Sequence, residues 1–322
     1  MPVVSVIMPC YNDGAYLEEA VASLRAQTCQ DLELIIIDDG SDDPETLRVL
    51  RHVDFPEVRI LHTDHVRPAA ARNHGIREAR GRYIFPLDAD DTISPPYLAE
   101  AVRRMEEDEK LGIVYCHADL FGEASGKWDL PDYSLRMELL DNCIFVSSLF
   151  RKADWEAIGG FCEDFRAGME DYDFWLSMLG LGREVYQFPE TWFHYRIKKS
   201  SRTTQFNNSY GDVQETYVRL YDRHRDLLLE HIDLYCKEMR YQLVDQLLLN
   251  RRLQEEVGKE AQASAARHEA EADRLKLEIA RIQSDPLLEY VFSVRELKPK
   301  KAARWDRLLR LKKRIRRLLV RG

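Results

Sequence analysis

The first hundred residues alternate short apolar runs with amphipathic stretches. The apolar runs, rich in Val, Ile and Leu, read VVSVIMP, LELIIID, EVRILHT and GRYIFPLD. Between the first two runs, apolar residues recur three and four positions apart, as on one face of a helix: Leu17, Ala20, Val21 and Leu24. Short strands that alternate with such helices predict an α/β fold with a mostly parallel, doubly wound sheet.

The pattern becomes more mixed after Gly112. IVYCHADLF and CIFVSSLF have the composition of strands, whereas KADWEAIGG predicts a short helix that ends at glycine and EDYDFWLSMLG predicts another helix. From about Asn207 onward the sequence is predominantly helical. We therefore expect an α/β domain followed by a helical extension.

Within this extension, residues 240–284 contain much Glu, Ala, Arg and Leu and almost no aromatic residues. This composition is typical of an extended coiled-coil arm. The apolar seam of the arm is uneven, because Ala and Ser dominate its middle; its members are Leu243, Leu247, Asn250, Val257, Ala261, Ala272, Leu275, Ile279 and Ile282. The seam is compatible with a homo-oligomer but does not require one.

The net charge of −9 hides a strong asymmetry. Residues 298–322 hold twelve Lys or Arg against the single Asp306, a local charge of +11, so the rest of the chain carries −20. An acidic body argues against nucleic acid as a partner of the main domain. The basic segment forms an amphipathic pattern that predicts membrane-surface contact through residues 298–321, with a solvated helix or nucleic-acid contact as alternatives.

The six cysteines lie at least 19 residues apart, so they form neither a CxxC redox motif nor a zinc pattern. A reduced compartment fits this spacing best. The chain runs from Met1 directly into VVSVIMP, without the ordered regions of a signal peptide, and no apolar run approaches the roughly 20 residues of a membrane span. We expect a cytoplasmic protein, either free or peripheral on the inner face of the cytoplasmic membrane.

Polar residues follow three of the apolar runs: PCYN at 9–12, DDGS at 38–41 and DADD at 88–91. Because ligands of open parallel sheets bind beyond the carboxyl ends of the strands, these residues predict one cleft rich in carboxylates. Neither GxGxxG nor GxxxxGK[ST] is present to bind a diphosphate. A divalent cation, Mn²⁺ or Mg²⁺, bridging Asp88 and Asp90 to a diphosphate would do that work, since both ions bind both kinds of oxygen.

Taken in order, the motifs resemble those of the family-2 inverting glycosyltransferases with a GT-A fold. The resemblance spans roughly residues 3–200 and rests on SVIMPCYND with its EEAVASLRAQT helix, LELIIIDDGSDD, AAARNHGIREARGRYIFPLDADD, GGF at 159–161 and MEDYDFWL at 169–176. Each motif is weak alone, whereas their order and spacing are specific. The resemblance implies a Rossmann-like GT-A domain that binds a nucleotide-sugar donor.

The expected domain boundaries follow from this resemblance and from the composition. Residues 1–204 form the GT-A domain, with a nucleotide-sugar-binding half at 1–112 and an acceptor half at 113–204. Residues 205–284 form the helical arm, and residues 285–322 form the basic amphipathic tail, which begins where Asp285-Pro286 should break the arm.

The resemblance assigns Pro9, Tyr11 and Asp39 to the nucleotide base and its ribose. Tyr11 offers an aromatic face for stacking, although core packing explains a tyrosine there equally well. A carboxylate at Asp39 can accept the N3–H of uracil or thymine but has no equivalent donor on adenine. The expected donor is therefore a UDP-sugar, with dTDP as the second choice.

The resemblance also assigns three charged residues to the diphosphate and the metal. Arg72 would lie near the nucleotide or diphosphate, Asp88 near the ribose and the metal, and Asp90 would ligate the metal directly. The alternative is a solvated acidic turn, but a polar triplet that ends a buried strand is more often a binding site.

Glu170 and Asp171 correspond to the acidic motif on the acceptor side of this family. The resemblance makes Asp171 the base that takes the proton of the attacking hydroxyl, while Glu170 is either an acceptor contact or a support. Acids in the first turn of a helix are also favoured by the helix dipole, and this structural reason is compatible with catalysis.

One residue departs from the motif pattern. Many relatives have a histidine near the metal in a YRxH stretch, whereas this chain reads Tyr195-Arg196-Ile197-Lys198. A cationic lysine cannot ligate a metal, but it can contact the diphosphate directly. This lysine predicts a site that depends less on metal or binds it only with the donor present, with His194 as an off-register substitute ligand.

These inferences predict a hexosyltransferase that moves a sugar with inversion to a hydroxyl of a glycan or lipid-linked acceptor, in bacterial surface polysaccharide synthesis. One alternative is a sugar nucleotidyltransferase, which should begin with a glycine-rich loop that VSVIMPCYNDG lacks. The other is a non-catalytic nucleotide-sugar-binding scaffold, which would have no need of both acidic motifs.

Overall fold

A computed structural model describes residues 2–199 and 209–283. The first half of the chain forms β1 (Val4–Cys10), α1 (Gly14–Arg25), β2 (Leu32–Asp38), α2 (Pro44–Leu50), β3 (Val58–His62), α3 (Pro68–Glu78), β4 (Tyr83–Pro86), β5 (Thr92–Ile93) and α4 (Tyr97–Glu107). The apolar runs of the sequence are thus strands, and the amphipathic stretches between them are helices, as predicted.

The second half forms β6 (Leu111–Gly122), β7 (Gly126–Lys127), α5 (Leu135–Glu138), β8 (Leu149–Arg151), α6 (Lys152–Ile158), α7 (Glu170–Gly180) and β9 (Glu184–Ile197). The helix predicted to end at glycine is α6, whose capping residue Gly159 is left-handed with φ of 82°. Of the predicted strand CIFVSSLF only the last part is β8.

All nine strands belong to one mixed sheet, in the order β3-β2-β1-β4-β8-β6-β9-β5, with β7 paired to β6. Strands β3, β2, β1 and β4 are mutually parallel, which confirms the doubly wound half of the prediction. Strand β8 is antiparallel to both β4 and β6, while β9 runs parallel to β6. The carboxyl ends of β1, β2 and β4 therefore meet at one edge.

The core lies on both sides of this sheet, since every residue of β2 is buried and β1 is buried except at Pro9. Helix α3 packs closely on β1 and β2 at Gly75. A Cβ atom at Gly75 would lie 2.6 Å from Ile37 Cδ1 and 2.9 Å from Ile7 Cγ2. Any larger residue would push α3 away from the sheet, and α3 carries Arg72.

Three further helices follow the gap in the described residues: α8 (Tyr210–Arg223), α9 (Arg225–Glu230) and α10 (Ile232–Gln283). Helices α8 and α9 pack on α7, where Arg223 and His224 contact the buried Asp173 carboxylate at 2.7 and 2.8 Å. A compact unit extends through Leu243, and a second begins at Val244. The division at residue 204 remains a prediction.

The long helix α10 confirms the helical extension. Many of its large apolar side chains are exposed, among them Leu243, Leu247 and Val257 of the predicted seam. Pairing of this seam remains a prediction, and the basic segment 298–321 lies outside the described residues. No helix in the described part of the chain is both long and apolar enough to cross a membrane.

Candidate active site

The three polar strand ends line one cleft of about 780 Å³, here called the donor cleft. Its walls include six of the residues that the sequence singles out: Pro9, Tyr11, Asp39, Asp88, Asp90 and Lys198. Because β1, β2 and β4 are parallel and adjacent, residues 80 positions apart in the sequence meet at the same sheet edge.

Asp39 lies at the rim of β2 and is held by the loop that follows β3. Its Oδ1 accepts hydrogen bonds from Thr63 Oγ1 at 2.7 Å and from the Val66 amide at 2.6 Å, and its Oδ2 accepts one from the Arg67 amide at 2.8 Å. Two residues of this loop, His65 and Arg67, have positive φ angles of 52° and 76°. A carboxylate has about four acceptor positions, so Asp39 retains capacity for one more donor.

The neighbouring Asp38 has the structural role that its position before Gly40-Ser41 suggests. Its Oδ1 accepts the Ser41 amide at 3.0 Å, which closes a turn. The two consecutive aspartates thus differ: Asp38 stabilises a turn, whereas Asp39 lines the cleft.

Tyr11 does not belong to the core, since 43% of it is exposed. Its ring centroid lies 4.2 Å from that of His65, and both residues line the donor cleft. An exposed aromatic face beside Asp39 is suited to stacking a planar base. Pro9, half-buried at the end of β1, forms the floor next to it.

Arg72 joins the two acidic motifs. Its guanidinium donates from Nη2 to Asp88 Oδ1 at 2.7 Å and from Nη1 to Glu170 Oε1 at 2.9 Å. Arg72 is 1% exposed. Burial lowers its pKa, but the charges of Asp88 and Glu170 outweigh burial, so its pKa lies above the ordinary value. The resemblance assigns Arg72 to the nucleotide or diphosphate; in the structure Arg72 bridges two carboxylates and lines the cavity next to this cleft.

Lys198 follows β9 and projects into the donor cleft. Its Nζ lies 2.7 Å from Asp90 Oδ2 and 2.8 Å from Asp13 Oδ1. Partial burial lowers the pKa of Lys198. The charge of Asp90 and the hydrogen bonds to both carboxylates raise it by more, so the pKa of Lys198 lies above its ordinary value. Burial and the Asp88 charge raise the pKa of Asp90, with Lys198 acting in the opposite direction.

Asp91 is buried and connects the DADD turn to β9. Its Oδ1 accepts the Arg196 amide at 2.8 Å, and Arg196 in turn donates from Nε to the Asp90 carbonyl at 2.7 Å. Burial, with the charges of Asp90 and Asp88, raises the pKa of Asp91 well above its ordinary value. This contact holds the turn against the strand that carries Lys198.

A second cavity of about 440 Å³, here called the acceptor cavity, adjoins the donor cleft. Asp88, Ala167 and Tyr195 line both. The acceptor cavity contains Glu170 and Asp171 together with a set of aromatic side chains: Trp128, Phe145, Phe193, Tyr195 and Tyr217. The two acidic motifs therefore face neighbouring spaces that meet at Asp88.

Helix α7 presents the second acidic motif. It starts after Met169, whose φ is 69° and whose side chain makes no cap, and in its first turn Asp171 Oδ1 accepts the Tyr172 amide at 2.9 Å. Glu170 is 2% exposed and turned toward Arg72, whereas Asp171 is half-buried at the cavity wall. Of the two adjacent acids, Glu170 has the contacts of a support and Asp171 has the access of a reacting group.

The donor set does not fit the expected Mn²⁺ or Mg²⁺. In the structure, Asp88 bonds to Arg72 and Asp90 bonds to Lys198. Within residues 2–199 and 209–283, no three His, Cys, Asp or Glu side chains are grouped so that they could hold a metal ion. His194, the substitute ligand, instead contacts Ser94 at 2.9 Å and Asp119 at 2.6 Å. A metal at Asp88 and Asp90 remains a prediction from the sequence.

Sequence reasoning missed several residues of the two spaces. Asp13 precedes α1, and its side chain contacts Lys198 instead of capping that helix. His65 and Arg67 follow β3, so the rule that polar residues after a strand line the site would have found them. Trp128 and Arg166 carry no local signal, because only the tertiary fold brings them to the cavities.

Known proteins are similar to this chain in sequence. Chondroitin synthase of Escherichia coli is 32% identical over 190 residues, which are 56% of this chain and 27% of that protein. The chain thus spans about a quarter of the length of this relative.

Two solved structures share the α/β fold. S. aureus TarS 1–349 in complex with UDP-GlcNAc has a TM-score of 0.54 at 19% identity, over 65% of this chain and 62% of that one. Mannosyltransferase PcManGT from Pyrobaculum calidifontis, in complex with GDP-Man and Mn²⁺, has a TM-score of 0.50 at 20% identity, over 63% and 59%. These likenesses confirm the GT-A-like fold.

Residues 5–171, just over half of the chain, match the family described as Glycosyl transferase family 2. This range begins in β1 and ends at Asp171, so it contains the strand ends, the DADD turn and the start of the second acidic motif. The chain therefore belongs to glycosyl transferase family 2.

Proposed function

We propose that this glycosyltransferase transfers a sugar, with inversion, from a nucleotide diphosphate sugar to a hydroxyl group of a glycan or lipid-linked acceptor. UDP is the favoured nucleotide and dTDP the second choice. The observation that carries the proposal is the junction of the two spaces at Asp88, with a carboxylate-lined donor cleft on one side and Asp171 on the other.

The donor side supports a pyrimidine nucleotide. Tyr11 offers an exposed ring for stacking, and the remaining acceptor capacity of Asp39 suits the N3–H of uracil or thymine. The backbone amides of Val66 and Arg67 hold the Asp39 carboxylate in place, so it is oriented before the base arrives. Adenine has no ring N–H equivalent to this N3–H, because its N1 is an acceptor.

Asp171 acts as the base in the proposed reaction. The acceptor hydroxyl oxygen bonds to the anomeric carbon while its proton passes to Asp171. The bond between the anomeric carbon and the β-phosphate oxygen breaks at the same time, and its electron pair stays on the departing diphosphate. Attack from the acceptor cavity and departure into the donor cleft lie on opposite faces of the sugar, which gives inversion.

Glu170 and Arg72 position this reaction. Arg72 connects the Glu170 carboxylate beside Asp171 to Asp88 at the junction of the two spaces. A change on the donor side is therefore transmitted to the turn that presents the base. The aromatic side chains of the acceptor cavity provide flat surfaces for a sugar ring and exclude water from the attacking hydroxyl.

The expected setting is bacterial surface polysaccharide synthesis by a cytoplasmic enzyme that contacts the inner face of the membrane through residues 298–321. The polysaccharide setting rests on the family resemblance, whereas the membrane contact rests on the charge and amphipathic pattern of residues 298–321. The seam of α10 supports self-association as a further proposal.

The test is a screen of UDP-, dTDP- and GDP-sugars for thermal stabilisation and nucleotide release, with Asp171→Asn as the variant. We expect stabilisation by UDP-sugars in both proteins, and a loss of transfer of about 10²–10⁴-fold in the variant, which keeps the shape of the side chain but cannot accept the proton.

Asp141→Asn is the matched control, because Asp141 is an exposed carboxylate in the same cavity. Its turnover should stay within a few-fold of that of the unchanged protein. A chain that no nucleotide sugar stabilises would refute the transferase assignment. If Asp171→Asn binds the donor and turns over as fast as the unchanged protein, Asp171 is not the base, while the assignment of the donor stands.

A further inference from the structure

The donor cleft holds an unusual cluster of one lysine between two aspartates. Lys198 Nζ contacts Asp13 Oδ1 and Asp90 Oδ2 at 2.8 and 2.7 Å. Its alkyl chain passes the ring of Tyr16, with Nζ 5.5 Å from the ring centroid. The Lys198 side chain is only 23% exposed, so these contacts fix the position of its ammonium group.

The cluster lies where the diphosphate of a nucleotide sugar has to bind. Lys198, Asp88 and Asp90 line the same cleft as Tyr11 and Asp39. An ammonium group has three N–H donors. Two bonds to carboxylates leave capacity for one bond to a phosphate oxygen, and the three donors point in different directions.

An ammonium group and a divalent cation cannot share this position. A Mg²⁺ ion bound to Asp90 would lie about 2.0–2.1 Å from a carboxylate oxygen, within a few ångströms of the Lys198 ammonium, which lies 2.7 Å from Asp90 Oδ2. Two cations that close together repel each other strongly in a half-buried cleft. The other aspartate of the pair, Asp88, is bonded to Arg72.

We infer that Lys198 is the resident cation of the donor site, which binds the diphosphate directly and replaces a divalent metal ion. The inference rests on the proposed function. The ammonium offsets the charge that develops on the β-phosphate oxygen when its bond to the anomeric carbon breaks. Asp13 and Asp90 act as positioning residues, since they hold the ammonium rather than a metal.

The first test measures Mn²⁺ binding by the full chain without nucleotide, using electron paramagnetic resonance. The unchanged protein should bind no Mn²⁺ at this site, whereas Lys198→His should bind one ion, because the substitution removes the ammonium and adds a neutral ligand beside Asp90. Stoichiometric Mn²⁺ binding by the unchanged protein that Asp90→Asn abolishes would overturn the inference. This readout requires no substrate, so it does not depend on the proposed function, and the second test extends it to the nucleotide-bound protein.

The second test measures UDP affinity by calorimetry in EDTA and in Mn²⁺. We expect equal dissociation constants in both conditions for the unchanged protein, and an increase of about tenfold or more for Lys198→Met, since a charge-assisted bond is lost. In Lys198→His the affinity should depend on Mn²⁺. Lys199→Met is the matched control, because Lys199 is 85% exposed and lies 4.0 Å from Glu123.

Loss of UDP binding in EDTA by the unchanged protein, restored by Mn²⁺, would refute the inference while leaving the transferase assignment in place. Absence of UDP binding under every condition would instead refute the proposed donor. Unchanged affinity in folded Lys198→Met would show that the ammonium makes no contact with the diphosphate.

Discussion

The donor cleft and the acceptor cavity adjoin at Asp88 but are lined by different kinds of side chain. The donor cleft is lined mainly by charged side chains at the ends of parallel strands, with Asp39, Asp88 and Asp90 facing cations and backbone amides. The described residues that line the acceptor cavity are largely aromatic side chains and carboxylates. The one arginine among them, Arg72, is paired with two of those carboxylates.

This contrast teaches how the site divides its work. A nucleotide diphosphate needs fixed charges of both signs, and the strand ends provide them. A sugar acceptor needs flat apolar surfaces and one base, and the rings and Asp171 provide those. An anionic acceptor group would meet like charges in the acceptor cavity, so we expect neutral acceptor ends.

The largest effect should come from breaking the bridge between the two regions with Arg72→Met. The change leaves two buried or half-buried carboxylates without their cation, which costs about 3–5 kcal/mol of stability. The kcat should also fall, because both regions lose a positioning contact. Calorimetric unfolding and kcat measure the two effects.

Arg77→Met is the control for this change, since Arg77 lies on the same helix and its side chain is 56% exposed. If Arg72→Met does not fold, Arg72→Lys tests the same bridge with a charge that reaches fewer partners. An Arg72 variant with unchanged Tm and unchanged kcat would contradict the bridging role.

An intermediate effect should separate the two regions. Tyr11→Ala should weaken UDP binding by about tenfold, the loss expected for one base-stacking ring, and should leave the acceptor KM unchanged. Trp128→Ala should raise the acceptor KM and leave UDP binding unchanged, since Trp128 lines the acceptor cavity and its ring centroid lies 4.6 Å from that of Tyr195. Initial rates with each substrate varied in turn measure both constants.

Trp128→Phe provides the conservative control, because it keeps an aromatic surface. Equal changes in both KM values in either alanine variant would show that the two spaces do not act separately. Melting temperatures of the variants show whether the changes are local.

The smallest effect on turnover concerns the segment behind the acceptor cavity. Glu138 is fully buried, and its carboxylate accepts the amide of Cys143, a residue of the cavity wall, at 2.9 Å. Burial raises the pKa of Glu138 from 4.5 to about 8, with the charge of Asp171 adding to the rise and the bonds from Cys143 opposing it.

Glu138 therefore stays protonated in the folded state while the unfolded state releases the proton. The stability of the protein should fall as pH rises from 4.5 to about 8, and be independent of Glu138 below and above that window. Glu138→Gln should remove this slope, so its stability relative to the unchanged protein should rise toward pH 8 by a few kcal/mol. Urea unfolding at several pH values measures it.

Glu109→Gln is the control for this measurement, because it makes the same chemical change at an exposed side chain. Parallel stability curves for Glu138→Gln and the unchanged protein would contradict a protonated Glu138.

Much of the donor side was predictable from the sequence. Val, Ile and Leu runs predict the strands, and polar residues after each run predict the cleft, because carboxyl ends of parallel strands meet at one edge. This pattern pointed to the segments 9–12, 38–41 and 88–91, and the family resemblance then singled out Pro9, Tyr11, Asp39, Asp88 and Asp90 within them. The spacing of apolar residues also predicts α1, and the composition of residues 240–284 predicts a long helix.

Only the tertiary structure determined which side chains contact each other. Asp38 and Asp39 have the same chemistry, as do the two acids Glu170 and Asp171. Packing alone determines that Asp38 stabilises a turn and Glu170 pairs with Arg72, whereas Asp39 and Asp171 face the cavities. Lys198 meets Asp13 across 185 positions because β9 ends beside the start of α1. Local patterns specify strands and helices, whereas the partners of a buried charge depend on contacts between distant segments.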